Sequence, residues 1–252
     1  MLADAHCHLQ FEAFRDDLDT VLNNAAEQGV ERLVVAGTCL DDTDRLVALN
    51  QKPQIDICLG LHPWFLDRHP ADAIDQLRHA LETQSVVALG ECGVDALVDN
   101  TKRQWALFEA QLRLAKELEL PVIVHCVRYY DEIGKRLKEL DLPGRGLIHA
   151  FTGSQQQAQR LIDLGYILGV GGAVTHDRAQ KLKRTVAALP EGSFVLETDA
   201  PDMMPQGAET SRNTPANIPL MAREVARLRQ TSVEALAEET SQTLHRVIPR
   251  RS

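Results

Sequence analysis

Long apolar runs are missing from this chain. Nothing in its 252 residues approaches the roughly 20 consecutive apolar residues of a membrane-spanning helix, so no membrane span is expected. The first residues show no basic stretch followed by an apolar one, so no secretory signal is read there and a cytoplasmic protein is expected. Cysteine pairs are missing too. Cys7, Cys39, Cys58, Cys92 and Cys126 are odd in number and none forms a CxxC pair, which argues against a disulfide framework and against a zinc ribbon. Positive charge is scarce: Lys and Arg number 27 against 36 Asp and Glu, a net charge of −9. Such a chain is poorly suited to gripping long duplex DNA through a broad basic face, because that binding relies on many phosphate contacts. A nuclease whose bound metals supply the positive charge locally remains compatible. Linkers, low-complexity tracts and internal repeats are also absent, so residues 1–252 read as a single domain.

What is present is ordinary in bulk and informative in order. A hydrophobic fraction of 44% and a charged fraction of 25% suit a globular protein, and the length is usual for an α/β barrel. Short runs rich in Val, Ile and Leu recur at about 2–6, 32–37, 55–60, 86–90, 121–125, 145–149, 166–170 and 193–198. Between them lie helical patterns. Trp105, Phe108, Leu112 and Ala115 mark a helix over about 104–119, which Pro121 ends. A second covers about 155–164 with Gly165 as C-cap, and a last one begins after Ser232, a good N-cap residue. Eight strands alternating with helices predict an α/β fold, a TIM (β/α)8 barrel rather than an open sheet.

Polar groups close these runs: Asp4-Ala5-His6-Cys7-His8, Gly90-Glu91, Val124-His125, Ile148-His149 and Glu197-Thr198-Asp199. They come from strands 1, 4, 5, 6 and 8, and only a closed ring brings the first and last strands together. Residues i and i+2 of a strand share a face, so His6 and His8 can meet one ion, with Asp4 one step deeper to orient a histidine ring. On the same logic Cys7, Cys92 and Cys126 point outward as small buried hydrophobes. Glu91 has two oxygens and can bridge two cations. His6, His8, Glu91 and Asp199 suit one ion; His125 and His149, sharing Glu91, suit the other. Imidazole and carboxylate without thiolate favour zinc, manganese, iron or nickel over magnesium. A ligand set so dispersed, with room for water, points to catalysis rather than to a structural site. Asp199 and Glu91 are the candidate catalytic carboxylates, Asp199 placed to accept a proton from water. His62 ends the third strand and is expected either to contact substrate or to donate a proton. Glu197 shares the inward face of Asp199 as a supporting group. Arg212 and Asn213, in the loop after strand eight, are candidate phosphate binders. Trp64 and Phe151 are candidates for stacking on a base. His69, His79 and His245 read as surface residues.

Taken together, Asp4-Ala5-His6-Cys7-His8-Leu9, Gly60-Leu61-His62-Pro63, Gly90-Glu91-Cys92-Gly93-Val94-Asp95, Leu120-Pro121-Val122-Ile123-Val124-His125, His149-Ala150-Phe151-Thr152-Gly153-Ser154, Leu196-Glu197-Thr198-Asp199-Ala200-Pro201 and Arg212-Asn213-Thr214-Pro215 give nearly the whole chain a resemblance to one family. It resembles the TatD family of metal-dependent deoxyribonucleases, within the amidohydrolase-like barrels. The resemblance implies a TIM barrel with a two-metal site. It implies His6, His8, Glu91, His125, His149 and Asp199 as ligands, and DNA ends or single strands as substrate for 3′-to-5′ exonuclease action. The family's arginine two residues beyond the fifth-strand histidine is Val127 here, and Arg128 follows. A one-residue shift at a strand end turns a side chain to the other face, so Arg128 is the candidate phosphate clamp in an altered position.

The expected activity is hydrolysis of DNA phosphodiester bonds by a water whose pKa is lowered between two divalent ions. Zinc is the first choice, with manganese, magnesium or nickel as alternatives. DNA is the expected partner, without an obligate protein partner, and the chain is expected to be a monomer. Two competing readings come from other classes. One is an amide or ester hydrolase on the same centre, such as an aminoacyl-tRNA deacylase. The other is a non-enzymatic metal-binding partner in DNA repair.

Overall fold

The computed structural model describes residues 1–140, 142 and 146–250. Among these residues eight strands form one sheet: β1 (Leu2–Cys7), β2 (Val30–Ala36), β3 (Ile55–Leu59), β4 (Ala88–Asp95), β5 (Val122–Val127), β6 (Gly146–Ile148), β7 (Ile167–Val170) and β8 (Phe194–Leu196). Their spatial order is their chain order and every neighbouring pair is parallel. Parallel neighbours need crossovers, and each connection carries helical structure. The ring closes just past β8, where the Asp199 amide donates to His6 O (2.9 Å) and the His8 amide donates to Ala200 O (2.8 Å). The chain is a TIM barrel.

Alternation along the strands builds two apolar layers. Leu33, Val35, Ile57, Leu59, Val122 and Val124 face outward and pack beneath the helices. The intervening Val34, Cys58 and Ile123 fill the barrel interior, where Val247 and Ile248 at the end of the last helix plug the bottom. The expected helices lie at Thr101–Glu117, Gln155–Asp163 and Val233–Val247. The Ser232 hydroxyl accepts the Ala235 amide at 3.1 Å, the side-chain cap expected there. Gly165, just past the second of these, sits at φ +87°, a conformation that suits glycine. The sixth strand was expected from residue 145, which lies outside the described residues; β6 is described from Gly146. No described helix is long and apolar enough to cross a membrane.

Two strands break the simple alternation. The β1–β2 register shifts between Asp4 and Cys7, and the β4–β5 register shifts between Leu89 and Cys92. Ala3 and Ala5 belong to the interior cluster, yet Cys7 belongs to the outer one. Ala88 is interior, and Cys92 is outer. Such irregularities re-aim side chains. Here they turn His6 and Glu91 inward, out of phase with the deeper part of their own strands. Gly90 makes the second shift sterically feasible: its φ is +148°, and a Cβ there would lie 2.7 Å from Ile123 O.

Candidate metal centre

The strand ends deliver Glu91 to the middle of a ring of imidazoles. Its Oε2 lies 3.2 Å from both His6 Nε2 and His8 Nε2. Its Oε1 lies 2.9 Å from His125 Nδ1, 2.9 Å from His149 Nε2 and 3.1 Å from His62 Nε2. Asp199 brings Oδ1 to 3.3 Å from His6 Nε2 and 3.4 Å from His8 Nε2. The structure thus brings together all six residues expected as ligands. All are buried except Asp199, whose side chain keeps 17% of its surface at the floor of the cavity above. Among the described residues three overlapping groups have ligand atoms within 4.8 Å of one another: His6, His149 and Asp199; His6, His8 and Glu91; and His62, Glu91 and His125.

Proton positions test whether these groups suit a cation. His8 Nδ1 lies 2.8 Å from the Ala36 carbonyl, which only accepts, so Nδ1 carries the proton and Nε2 offers its lone pair to the centre. His125 donates from Nε2 to Asp95 Oδ2 at 3.0 Å, leaving Nδ1 to face Glu91 Oε1 and, at 3.1 Å, His149 Nε2. Lone pairs of this kind aimed at carboxylate oxygens repel unless positive charge lies between them. The donor set therefore fits divalent metal, and its nitrogen and oxygen composition suits zinc, manganese or nickel better than magnesium. Distance alone admits His62 as a ligand, but its hydrogen bonds argue otherwise. Its Nδ1 accepts the Trp64 amide at 3.0 Å, so Nε2 bears the proton and donates it to Glu91.

Protons on the imidazoles meet the same demand for positive charge between these nitrogens and the carboxylate oxygens. Burial disfavours a charged His8, yet its contacts with Asp199 and Glu91 outweigh this and hold it up to about 10. His149 is likewise held well above the usual imidazole range against burial, first by Glu91 and then by Glu197. Burial would raise Glu91, but His149, His62 and His6 around it hold it well below the usual carboxylate range. Asp199 is pulled down as well: His6 and His8 outweigh its burial. Burial pushes His62 down to about 4, so it stays neutral. The expectation that His62 donates a proton to a leaving group does not match this geometry, because its one N–H is engaged by Glu91.

Supporting residues hold the ring in place. Asp95 accepts from His125 Nε2, from Trp64 Nε1 at 2.7 Å and from the Leu97 amide at 2.7 Å. Burial would raise this carboxyl, but His125 and Trp64 hold it down to about 2. Glu197 Oε1 accepts the Ala150 amide and faces His149 Nδ1 at 3.6 Å. Asp4 was expected to orient a ring. It accepts instead from the Thr198 amide (2.9 Å), the Thr198 hydroxyl (2.5 Å) and the His6 amide (3.3 Å). The register shift takes Asp4 off the His6 face and makes it the clasp between β1 and the end of β8. His69 is a correction: it is buried, not on the surface, and its Nε2 donates to the His62 carbonyl at 3.1 Å. Asp95 was given no role on sequence, although it lies four residues past Glu91 on the same strand face. That spacing is the signal that could have found it.

A cavity of about 680 Å³ opens above the centre. Arg128, at φ +70°, is exposed on its rim with Lys181. Arg212 and Asn213 do not line it. The Arg212 guanidinium takes both oxygens of Asp17 at 2.6 and 2.7 Å and lies 4.6 Å over the Phe14 ring. Asn213 is fully buried and donates from Nδ2 to the Thr198 and Asp202 carbonyls, each at 2.8 Å. It pins the loop that carries Asp199 instead of facing a phosphate. Phe151 is buried too, packed 4.9 Å from Tyr130, whereas Trp64 stands at the mouth with 57% of its surface exposed.

Known proteins resemble this chain over almost its full length. It matches the family described as "TatD related DNase" over residues 3–249. An Escherichia coli K12 protein named "Uncharacterized metal-dependent hydrolase YjjV" is 40% identical over 241 residues, 93% of each chain. A Pantoea ananatis protein named "3'-5' ssDNA/RNA exonuclease TatD" is 32% identical over 249 residues, covering 94% of this chain and 95% of that one. The crystal structure of Escherichia coli YjjV superimposes with a TM-score of 0.94 at 38% identity, covering 98% of this chain and 97% of the other. With this family match, these identities and the shared fold, the chain belongs to the TatD family of metal-dependent hydrolases.

Proposed function

We propose that this protein hydrolyses phosphodiester bonds at the 3′ ends of single-stranded DNA, using two divalent cations of which zinc is the first candidate. One observation carries the reading. The two oxygens of Glu91 serve different imidazole groups, Oε2 at 3.2 Å from His6 and His8, Oε1 at 2.9 Å from His125 and His149. A carboxylate so placed would offer one oxygen to each of two ions. Asp199 would complete the first group, with Oδ1 at 3.3 Å from His6 and 3.4 Å from His8. When bound, such ions supply Lewis acidity at phosphorus and a water of lowered pKa.

The chain's own residues do the rest. Of the two carboxylates in the ring, Asp199 is the more exposed to the cavity, at 17% against 2% for Glu91, and accepts the proton of the attacking water. His62 donates to Glu91 Oε1 and, with the Trp64 amide on its other nitrogen, fixes that carboxylate's orientation. Asp95 keeps His125 in the tautomer that turns Nδ1 inward. Arg128 and Lys181 on the rim meet the substrate's backbone charge. The relative named as a 3'-5' ssDNA/RNA exonuclease supports the choice of substrate.

The test is digestion of a 5′-labelled single-stranded oligonucleotide by metal-stripped protein refilled with zinc, manganese, nickel or magnesium. D199N runs beside it. A ladder shortening from the 3′ end, absent in D199N, is expected. Near-normal turnover by D199N would sink the assignment. A second reading, ester or amide hydrolysis on the same centre, is favoured by the acidic balance of the chain, 36 carboxylates to 27 basic side chains. Small esters and amides assayed in parallel separate the two.

A further inference from the structure

Among the described residues the exposed large hydrophobic side chains are Met1, Trp64 and Leu97. Two of these three sit on one carboxylate. Asp95 accepts the Trp64 indole N–H at Oδ2 and the Leu97 amide at Oδ1, each at 2.7 Å. Trp64 is also tied at its backbone, where its amide donates to His62 Nδ1 at 3.0 Å. An exposed indole fixed at both ends differs from a loose surface aromatic: it has lost its freedom before any ligand arrives, so a ligand that lies on it adds little ordering cost.

The ring also stands in the right place. His62 and His125 approach it at 5.5 and 6.1 Å in T-shaped geometry, so neither stacks on it. It lines the cavity over the candidate metal centre, and Asp95 Oδ2 holds both the indole and His125. Ring and centre therefore keep a fixed mutual position. The indole lies 6.1 Å, centroid to centroid, from His125 of the centre, so a base joined through one sugar to a phosphate at the centre falls beside it.

We infer that Trp64 is a stacking platform for the terminal nucleobase of the substrate, a specificity-determining residue that selects ends carrying an intact planar base. This rests on the nuclease reading and names what that site holds beside the phosphate. Asp95 is the positioning residue behind the platform. Stacking depends on the π face and not on base-edge hydrogen bonds, so the preference is for a base over none, with little discrimination among the four.

The experiment compares two 5′-labelled oligonucleotides that differ at the 3′-terminal residue, one with adenine and one with an abasic tetrahydrofuran. Wild-type protein should cleave the abasic end less efficiently by roughly 5- to 150-fold in kcat/KM, the range that alanine substitution of stacking residues gives, with the loss mostly in KM. W64A should cleave both ends alike, and W64F, which keeps a ring, should fall between. Removing the indole also releases Asp95, but that effect applies to both substrates, so the ratio between them isolates the stacking. Equal cleavage of both ends by wild-type protein, or a ratio unchanged in W64A, overturns the inference. Cleavage of neither oligonucleotide with any metal would count against the nuclease reading, and the platform is then read directly. The chain has two tryptophans, so in W105F the emission comes from Trp64. Saturable quenching by dAMP and not by deoxyribose 5-phosphate sustains the platform; quenching by neither overturns it.

Discussion

Gly169 makes room for the carboxylate behind His149, and replacing it with alanine tests how far that carboxylate governs the centre. A Cβ built on Gly169 lies 2.1 Å from Glu197 Oε2 and 2.5 Å from its Cδ, where ordinary contact begins at 3.4 Å. Glu197 is fully buried, so it has no solvent to retreat into and must move by more than an ångström within a packed interior. That move breaks its bond from the Ala150 amide and takes Oε1 from its place beside His149 Nδ1. Two separable losses follow. Overpacking of this kind costs about 1–3 kcal/mol, which for a chain of this size is a fall in Tm of roughly 2–12 °C. Glu197 faces Nδ1 of the candidate ligand His149 at 3.6 Å, beyond hydrogen-bond reach, so taking it away should lower metal affinity by about 10-fold, the low end of what loss of a supporting partner costs. Thermal unfolding of the metal-free protein reads the first, and competition against a chromophoric chelator reads the second. Wild-type affinity together with an unchanged Tm in G169A would refute the reasoning at its root, because Glu197 would then have no geometric grip on His149.

Three further outcomes are expected. G134A should raise Tm by about 1–4 °C, since Gly134 lies inside the helix Tyr130–Glu139 and an added Cβ meets only Leu161 Cδ2, at an ordinary 3.7 Å; a lower Tm would contradict the open space described there. R212A should lose about 1 kcal/mol of stability through its contacts with Asp17 and Phe14 while kcat/KM stays within roughly 3-fold; a larger loss of activity with Tm intact would return Arg212 to the substrate. Glu224 is held down to about 2, first by Arg227 and then, against burial, by Lys183. A depressed carboxyl stabilises fully above its unfolded pKa of about 4.3 and loses that contribution as pH falls towards the folded value, so the gap in urea midpoint between wild type and E224Q should narrow as pH drops from 5 to 3; a constant gap would refute the pairing.

Much of the barrel is legible in the sequence because buried parallel strands are continuous apolar runs, and eight such runs at βα spacing leave few alternatives. His125 and His149 were readable by alternation alone. Ile123 is interior and His125 shares its face; Leu147 is interior and His149 shares its face. The side chains of Arg212 and Asn213 turn away from the cavity for a definite reason. A polar residue in the loop after β8 is near the centre by topology, but topology does not say which way it points, and a carboxylate at Asp17 and three nearby carbonyls claimed the two side chains first. His62 was half legible: its position followed from the end of β3, but its role depends on which nitrogen carries the proton, and the Trp64 amide decides that.

His6 and Glu91 were placed inward by a rule that their own strands break. Counting by twos from the interior Ala3 and Ala5 puts Cys7 inside and His6 outside, and counting from the interior Ala88 puts Glu91 outside. The register shifts in β1 and β4 reverse both. Their location has a physical logic. Below the shift, each strand must present small side chains to a crowded barrel floor; above it, the same strand must present ligands to one point. A regular strand ties the two requirements to a single phase, whereas one extra residue lets the packing of the floor and the aim of the ligands be set independently. Asp4 exploits the slip: turned off the ligand face, it takes the amide of His6 and both polar groups of Thr198, and so fastens the first strand to the last where the ring closes. Removing that carboxylate should loosen the closure on which the meeting of His6 and Asp199 depends.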